Sequence, residues 1–157
     1  LISEEVRNLR DSAGLPGMAV LQFAFDGNTE NLYLPHNLKD SLVLYTGTHD
    51  NDTTLGWYES STEEIRGNFR NYLNVSGDAP SWDLLRFAYR TISPLVVVPA
   101  QDLLSLGSEA RLNEPGYAMG NWKWRLTEFQ LANLFRESSA YLRLQAEITG
   151  RLPRSSP

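Results

Sequence analysis

The sequence predicts an α/β protein built on a parallel β-sheet, and three apolar runs carry that prediction. Residues 18–25, 42–46 and 95–98 are apolar at nearly every position, as in strands buried on both faces of a parallel sheet. Helical patterns separate these runs, as βα units require. Three parallel strands alone would leave long open edges. We therefore expect the C-terminal part of a barrel whose other strands are missing.

The remaining elements follow from capping residues and helical spacing. Ser3 precedes two glutamates and is expected to cap a first helix that ends at Gly14. Apolar residues at helical intervals predict another helix over residues 65–73. Ser81 is interpreted as the cap of the next helix. A long amphipathic pattern predicts a final helix over residues 127–150.

The composition is that of a globular protein with a net negative charge. Of the 157 residues, 41% are hydrophobic, and 19 acidic against 14 basic residues leave a formal net charge of −5. No basic run breaks this balance, so nucleic acid and membrane surfaces are disfavoured as partners. The absence of cysteine excludes disulfides and thiolate metal sites. The length suits one domain over residues 1–150, and residues 151–157 are expected to form a disordered tail.

Polar residues follow each apolar run, and the densest group, Thr-His-Asp-Asn-Asp, comes directly after the second. The carboxyl ends of parallel strands are where such folds bind ligands, so His49 and Asp50 are candidate site residues. Asp52 is interpreted as the cap of the following helix. A metal site is disfavoured, because such sites usually draw on several histidines and His36 is the only other histidine in the sequence. The aspartates also lack the regular ligand spacing of a dedicated metal-binding loop. Carbohydrate chemistry fits better, since it needs carboxylates and polar groups around a sugar ring.

Aromatic residues near these loops could pack against the apolar faces of sugar rings. Trp57, Tyr58, Trp122 and Trp124 lie close in sequence to the predicted strand ends. Ordinary core packing is the alternative for all of them, and it is the favoured interpretation for Tyr58 and Trp124. The sequence leaves Trp57 and Trp122 open.

Five segments together resemble glycoside hydrolase family 77, the 4-α-glucanotransferases or amylomaltases. They read GLPGMAVLQFAF, LPHNL, VLYTGTHDNDTTLGW, VVVPAQDLLSLGSEARLNEPG and GNWKWRL, and the resemblance extends over residues 1–126. It implies a (β/α)8 TIM barrel, of which this chain would form the C-terminal part, about strands 6–8 and their helices. It also implies retaining transfer of α-1,4-glucan segments between maltooligosaccharide, starch or glycogen chains, without a cofactor.

The resemblance assigns roles to individual residues. Asp50 matches the carboxylate that stabilises the distorted, oxocarbenium-like sugar in the transition state, and His49 matches the histidine that hydrogen-bonds the same sugar. Asp26 matches a substrate-binding aspartate. Asn113 and Asn121 lie in the loop after the last strand and are expected to hydrogen-bond glucose hydroxyls. Asn113 could equally serve only as a turn former.

Two catalytic carboxylates of the family have no match. The family's nucleophilic aspartate and acid/base glutamate lie at the ends of strands four and five, and Glu4 and Glu5 fall in a helix instead. A retaining mechanism needs that pair ~5–5.5 Å apart across the scissile bond. We therefore expect a fragment that is inactive alone. Its expected location is the cytoplasm, or the plastid if the protein comes from a plant or alga. The alternative is a non-catalytic glucan-binding or interaction module derived from the barrel.

Overall fold

The computed structural model describes residues 3–39 and 41–152, which form an α/β fold around a parallel three-stranded sheet. The strands are β1 (Gly17–Val20), β2 (Leu42–Tyr45) and β3 (Leu95–Val97), and they lie side by side in that order. The α-helices of the described residues are α1 (Glu4–Ser12), α2 (Thr54–Ser60), α3 (Glu63–Leu73), α4 (Pro80–Tyr89), α5 (Ala100–Leu103), α6 (Glu128–Asn133) and α7 (Ser139–Ile148). The predicted parallel sheet of βα units is confirmed.

Strand β1 is shorter than the apolar run that predicted it. Its ladder with β2 ends where Val20 pairs with Tyr45, and Leu21–Phe23 form a 3-10 turn. Gln22, the polar residue within the run, is buried and donates from its side chain to the carbonyl of Asp52 at 3.0 Å. Beyond Val20, Leu21, Ala24 and Phe25 are therefore buried in and after a turn that packs under the next loop, whereas Phe23 is 51% exposed.

The helical core packs on one face of the sheet. Ala19, Leu44 and Val96 share a row of the register and face the core. In the adjacent row, Met18 and Leu95 are 55% and 53% exposed. The expectation that the strands are buried on both faces is therefore wrong for the described residues, because their helices cover only one face.

An aromatic cluster fills the core between the sheet and the helices. Phe69 of α3 is fully buried, and its ring centroid lies 5.1 Å from that of Phe25 and 5.2 Å from that of Tyr58. Trp57 of α2 lies 5.9 Å from Phe69. Burial of each such side chain contributes about 1.5–3 kcal/mol. Trp57 and Tyr58 therefore belong to the hydrophobic core.

Local capping chemistry explains where most helices begin. The Ser3 hydroxyl accepts a hydrogen bond from the amide of Val6 at 3.4 Å, and Gly14 follows α1 with a φ of 66°, as predicted. Helix α4 begins at Pro80 rather than after Ser81. The fixed φ of proline suits the first helical position, where no amide hydrogen is needed. Ser81 therefore lies inside the first turn and does not cap the helix.

The predicted C-terminal helix is present but is interrupted. Thr127 caps α6 through a reciprocal pair of hydrogen bonds with Gln130, and a π-helical turn, Leu134–Ser138, separates α6 from α7. The turn brings Ser138 inward, where its hydroxyl donates to the carbonyl of Leu103 at 2.9 Å. An extra residue in one turn is how a helix re-aims a side chain without ending.

Arg151 ties the end of the described chain to the connection between α4 and β3. Its guanidinium donates to the carbonyls of Tyr89, Thr91 and Ser93 at 2.8, 3.0 and 2.9 Å. The predicted disordered tail begins at Arg151, but this residue itself is held by hydrogen bonds. Residues 153–157 lie outside the described residues, so the prediction for them stays a prediction.

Candidate active site

His49 and Asp50 lie in the loop that joins β2 to α2, at the carboxyl end of the sheet. Their side chains are 56% and 51% exposed, and His49 Nε2 lies 3.3 Å from Asp50 Oδ1. The loop is closed by a turn in which Asn51 Oδ1 accepts from the amide and hydroxyl of Thr48, at 3.0 and 2.7 Å. The two candidate residues are thus exposed at the tip of an internally bonded loop.

A segment after β3 holds Asp50 from the other side. The Asn113 side chain donates to Asp50 Oδ1 at 2.6 Å, and Arg111 Nη2 donates to the Asp50 carbonyl at 3.0 Å. Arg111 Nε also donates to the carbonyl of Asn113 at 2.9 Å, so the two residues form a single unit. Asp50 Oδ2 accepts no hydrogen bond from any described residue. One carboxylate oxygen is therefore oriented by the protein and the other is open to a ligand.

The prediction that Asp52 caps α2 is wrong. The N-cap is Thr53, whose hydroxyl accepts from the amide of Gly56 at 3.0 Å. The carboxylate of Asp52 instead accepts from the Thr53 amide at 2.8 Å and from the Ser108 hydroxyl at 2.6 Å. Threonine takes the cap because it is the residue immediately before the first helical position, while Asp52 links the loop to the turn Ser108–Ala110.

Asp102 is a buried carboxylate beneath the same loop. It is 1% exposed and accepts three hydrogen bonds: from the hydroxyls of Thr46 and Thr54 at 2.8 and 2.7 Å, and from the Thr54 amide at 2.8 Å. Burial raises the pKa of Asp102 above its ordinary value, because the low-dielectric surroundings disfavour the charged form. The bonds from Thr54 and Thr46 offset part of that rise, and the Asp52 charge adds to it.

Asp26 lies in a different local structure from Asp50. It is exposed, and its Oδ1 accepts from the amide of Asn28 at 3.0 Å in a tight turn. Hydrogen bonds from the Asn31 side chain and the Asn28 amide lower the pKa of Asp26 below its ordinary value. No hydrogen bond joins Asp26 to the loop of His49 and Asp50 within the described residues. Its substrate-binding role stays a prediction.

Asn121 bonds within its own loop, while its neighbour Trp122 reaches the site. Asn121 exchanges hydrogen bonds with the backbone of Glu114 at 2.9 and 3.2 Å and donates to the Tyr117 carbonyl at 2.9 Å. The Trp122 ring lies 5.2 Å from the ring of His49, centroid to centroid, and is 52% exposed. Trp122 also adopts a φ of 63°, which is uncommon for a bulky residue and marks a specifically held position.

An open cavity of about 410 Å³ lies between the exposed face of the sheet and these loops. Its volume is within the range of small-molecule sites. The strands contribute apolar side chains to its wall, and the loop after β2 contributes polar ones. The lining residues that bear on the site are Met18, Tyr45, His49, Asp52, Gln101 and Arg111.

Several residues that support the loop between β2 and α2 are not predicted from the sequence. Gln22, Ser108 and Arg111 all hydrogen-bond this loop. A polar residue inside an apolar run is the available signal for Gln22. Asp102 is distinguished in the sequence only as one of the polar residues after the third strand. Nothing in the spacing indicates that Ser108 and Arg111 contact a loop more than 50 residues earlier.

The described residues contain neither a cluster of metal ligands nor a membrane-spanning helix. Within residues 3–39 and 41–152, no group of three or more His, Asp or Glu side chains converges as metal ligands would. Across the same ranges, no helix is both long and apolar enough to span a bilayer.

Fold and site together define the class: an α/β protein whose polar site lies at the carboxyl ends of parallel strands. Comparison with known families specifies it further. The sequence model of glycoside hydrolase family 77, described as 4-alpha-glucanotransferase, matches residues 1–131. The chain therefore belongs to that family.

Individual relatives are similar to this chain in sequence and in structure. The chain is 48% identical to the 4-alpha-glucanotransferase of Thermus thermophilus and 41% identical to the chloroplastic/amyloplastic one of Arabidopsis thaliana, over 97% of its length in both cases. The structure of the Streptococcus agalactiae amylomaltase in complex with acarbose superposes with a TM-score of 0.89 at 32% identity, over 98% of this chain.

The chain spans less than a third of each of these relatives. It covers 31% of the Thermus protein, 27% of the Arabidopsis protein and 31% of the Streptococcus structure.

Proposed function

We propose that this chain supplies one part of the active site of a 4-α-glucanotransferase, which moves α-1,4-glucan segments between maltooligosaccharide, starch or glycogen chains. The observation that carries the proposal is the setting of Asp50: an exposed carboxylate at a strand end, with one oxygen held by Asn113 and the other open. Membership of the family supports the reaction class. The complex of the Streptococcus amylomaltase with acarbose supports a glucan-like ligand.

In this proposal Asp50 stabilises the transition state without attacking the sugar or protonating the leaving group. Its open Oδ2 accepts from ring hydroxyls of the sugar that becomes oxocarbenium-like. Contacts of this kind accelerate the reaction when they strengthen as positive charge develops on the sugar. Asn113 fixes the orientation of the carboxylate beforehand, so little reorganisation is needed during the reaction.

His49 and Trp122 would complete the surface that receives this sugar. The imidazole, exposed beside Asp50, can donate to a second hydroxyl, and the Trp122 ring packs against the imidazole. Asp26 would bind a neighbouring glucose unit from its own turn. Asn121 would contribute chiefly by ordering the loop that carries Trp122, since its amide and carbonyl groups are occupied by backbone partners.

The nucleophile and the acid/base residue would come from the remainder of a longer polypeptide, the parent enzyme. There this chain would form the C-terminal part of the domain, about strands 6–8 of a (β/α)8 barrel. Two observations support that arrangement: the chain spans 31% of its Thermus relative, and one face of the sheet leaves the apolar side chains of Met18, Leu95 and Val97 exposed, of which Met18 and Val97 line the cavity. In a closed barrel such a face lines the interior.

The test is disproportionation of maltotriose by the parent enzyme with Asp50→Asn. We expect kcat to fall on the order of 10²–10³-fold, as when one preorganised electrostatic contact to a transition state is removed. Asp78→Asn is the matched control, because Asp78 is an exposed loop aspartate whose hydrogen bonds within the described residues are to Ser76. It should retain wild-type activity.

Two results would contradict the proposal. Wild-type turnover by the Asp50→Asn enzyme would remove Asp50 from the reaction. A parent polypeptide that binds amylose in a sedimentation assay but never transfers glucan would favour the non-catalytic binding module. The proposed compartment is the cytoplasm, or the plastid in a plant or alga; relatives include bacterial and chloroplastic/amyloplastic proteins.

A further inference from the structure

Asp102 joins the two ends of the loop that carries His49 and Asp50. Thr46 is the first residue after β2, and Thr54 is the first residue of α2. Both are fully buried, and both donate their hydroxyls to the same oxygen, Asp102 Oδ2, at 2.8 and 2.7 Å. The other oxygen accepts the Thr54 amide at 2.8 Å. One carboxylate thus fixes the point where the chain leaves the strand and the point where it enters the helix.

We propose that Asp102 is a positioning residue for the transferase reaction: it sets the geometry of the loop so that Asp50 meets the sugar correctly. This inference rests on the proposed function of Asp50. Asp102 itself is buried and cannot touch substrate, so its effect on the reaction passes through the loop.

The other contacts between this segment and the loop explain why the loop depends on Asp102. Asp102 begins a segment whose later residues also bond the loop: Ser108 bonds Asp52, and Arg111 and Asn113 bond Asp50. The contacts of Ser108, Arg111 and Asn113 involve residues that are at least partly open to solvent. The contacts of Asp102 are shielded from water, where hydrogen bonds to a carboxylate are strongest and an unmade bond is most costly.

A purely structural role is the competing explanation, because any buried carboxylate with three partners contributes to stability. The two explanations differ in what they predict for the chemical step. A stability residue changes the fraction of folded enzyme and the melting temperature. A positioning residue also lowers kcat in the fully folded enzyme, and that loss requires Asp50 to be present.

The test is a double-mutant cycle in the parent enzyme, with maltotriose as substrate, at a temperature where every variant is folded. Thr46→Val removes the hydroxyl that links the strand end to Asp102 while keeping the side-chain shape. Asp102→Ala removes all three bonds. We expect kcat to fall roughly 10- to 100-fold with Asp102→Ala, as when a reacting group is misplaced by about 1 Å. Thr46→Val should give a smaller loss in the same direction.

The conservative variant Asp102→Asn should recover most of the activity, to within about threefold of wild type. Its Oδ1 can still accept the Thr54 amide, and its NH2 group can donate to the two hydroxyls, which also act as acceptors. In an Asp50→Asn background, Asp102→Ala and Thr46→Val should lower kcat by less than about twofold, because the group they position is already neutralised.

Matched controls separate stability from positioning. Thr91→Val removes a hydroxyl that donates to the Ala88 carbonyl on α4, and Asp83→Ala removes a buried carboxylate that pairs with Arg86. Both should lower the melting temperature without changing kcat. If Asp102→Ala lowers the melting temperature but not kcat, or lowers kcat equally with and without Asp50, the positioning inference is wrong and the role of Asp50 stands. If Asp50→Asn is itself fully active, both fail.

Discussion

At the scale of single residues, the structure distinguishes two asparagines to which the family resemblance assigns the same role. Asn113 donates to the Asp50 carboxylate at 2.6 Å, whereas Asn121 satisfies its amide and carbonyl on the backbone of Glu114 and Tyr117. Residue type and loop membership are the same for both. Only the partner of each side chain separates an orienting contact at the site from a loop-forming one.

This difference leads to opposite expectations for the two alanine variants of the parent enzyme. Asn113→Ala leaves Asp50 Oδ1 without its donor and should lower kcat on the order of tenfold, with little change in melting temperature. Asn121→Ala removes three hydrogen bonds of an exposed loop and should lower kcat less, while raising KM by loosening Trp122. Steady-state kinetics with maltotriose measure both. Equal kcat losses would show that the two asparagines share one role.

At the scale of elements, the site depends on how closely the segment after β3 approaches α2. Gly56 of α2 lies directly under Ser108, and a Cβ added at Gly56 would lie 2.8 Å from the Ser108 backbone nitrogen. No side chain fits there while the turn Ser108–Ala110 keeps its position. The contact between Ser108 and Asp52 therefore requires glycine at this place in the helix.

Replacing this glycine tests the close approach. Gly56→Ala should push the Ser108 turn away, lower the free energy of unfolding by about 1–3 kcal/mol, and reduce kcat on the order of tenfold. Gly67→Ala in α3 is the matched control, because its added Cβ would meet only Arg70 at 4.0 Å. In an open helical position the change should raise the free energy of unfolding by roughly 0.5–1 kcal/mol. Chemical denaturation measures the free energy of unfolding of both variants, and steady-state kinetics measure their kcat. A stabilised, fully active Gly56→Ala enzyme would contradict the requirement for glycine at this position.

At the scale of the whole molecule, the buried carboxylate of Asp102 couples global stability to pH. Asp102 lies where β2, α2 and α5 meet, and burial raises its pKa above the ordinary value. In the pH interval between its unfolded and folded pKa values, the folded state holds a proton that the unfolded state has released. The contribution of Asp102 to stability is therefore greatest below its unfolded pKa and declines as pH rises through its folded pKa.

The expected measurement is a difference between two titrations of stability. The free energy of unfolding of the wild-type parent minus that of Asp102→Asn should decrease as pH rises above the ordinary aspartate pKa, and then level off. Urea denaturation across the acidic to neutral range provides both curves. A difference that increases with pH would mean that the hydrogen bonds from Thr46 and Thr54 outweigh burial.

The sequence predicted the parallel sheet, the helix cap at Ser3, and the strand-end location of His49 and Asp50. These features depend on local patterns of apolar and capping residues, which a sequence displays directly. It assigned Asp52 to a cap that Thr53 provides, because neighbouring capping residues differ only in backbone geometry. It also extended β1 to residue 25, since an apolar run does not indicate where its partner strand ends.

The sequence by itself determined the order of the elements, the family to which the chain belongs, and the residue types at the candidate site. The tertiary structure alone decided which partners those residues have: Asn113 and Arg111 on Asp50, Ser108 on Asp52, and the two threonine hydroxyls on Asp102. The physical reason is the distance along the chain. These contacts join residues about 50 or more positions apart, so they exist only once the parallel strands bring their carboxyl ends together.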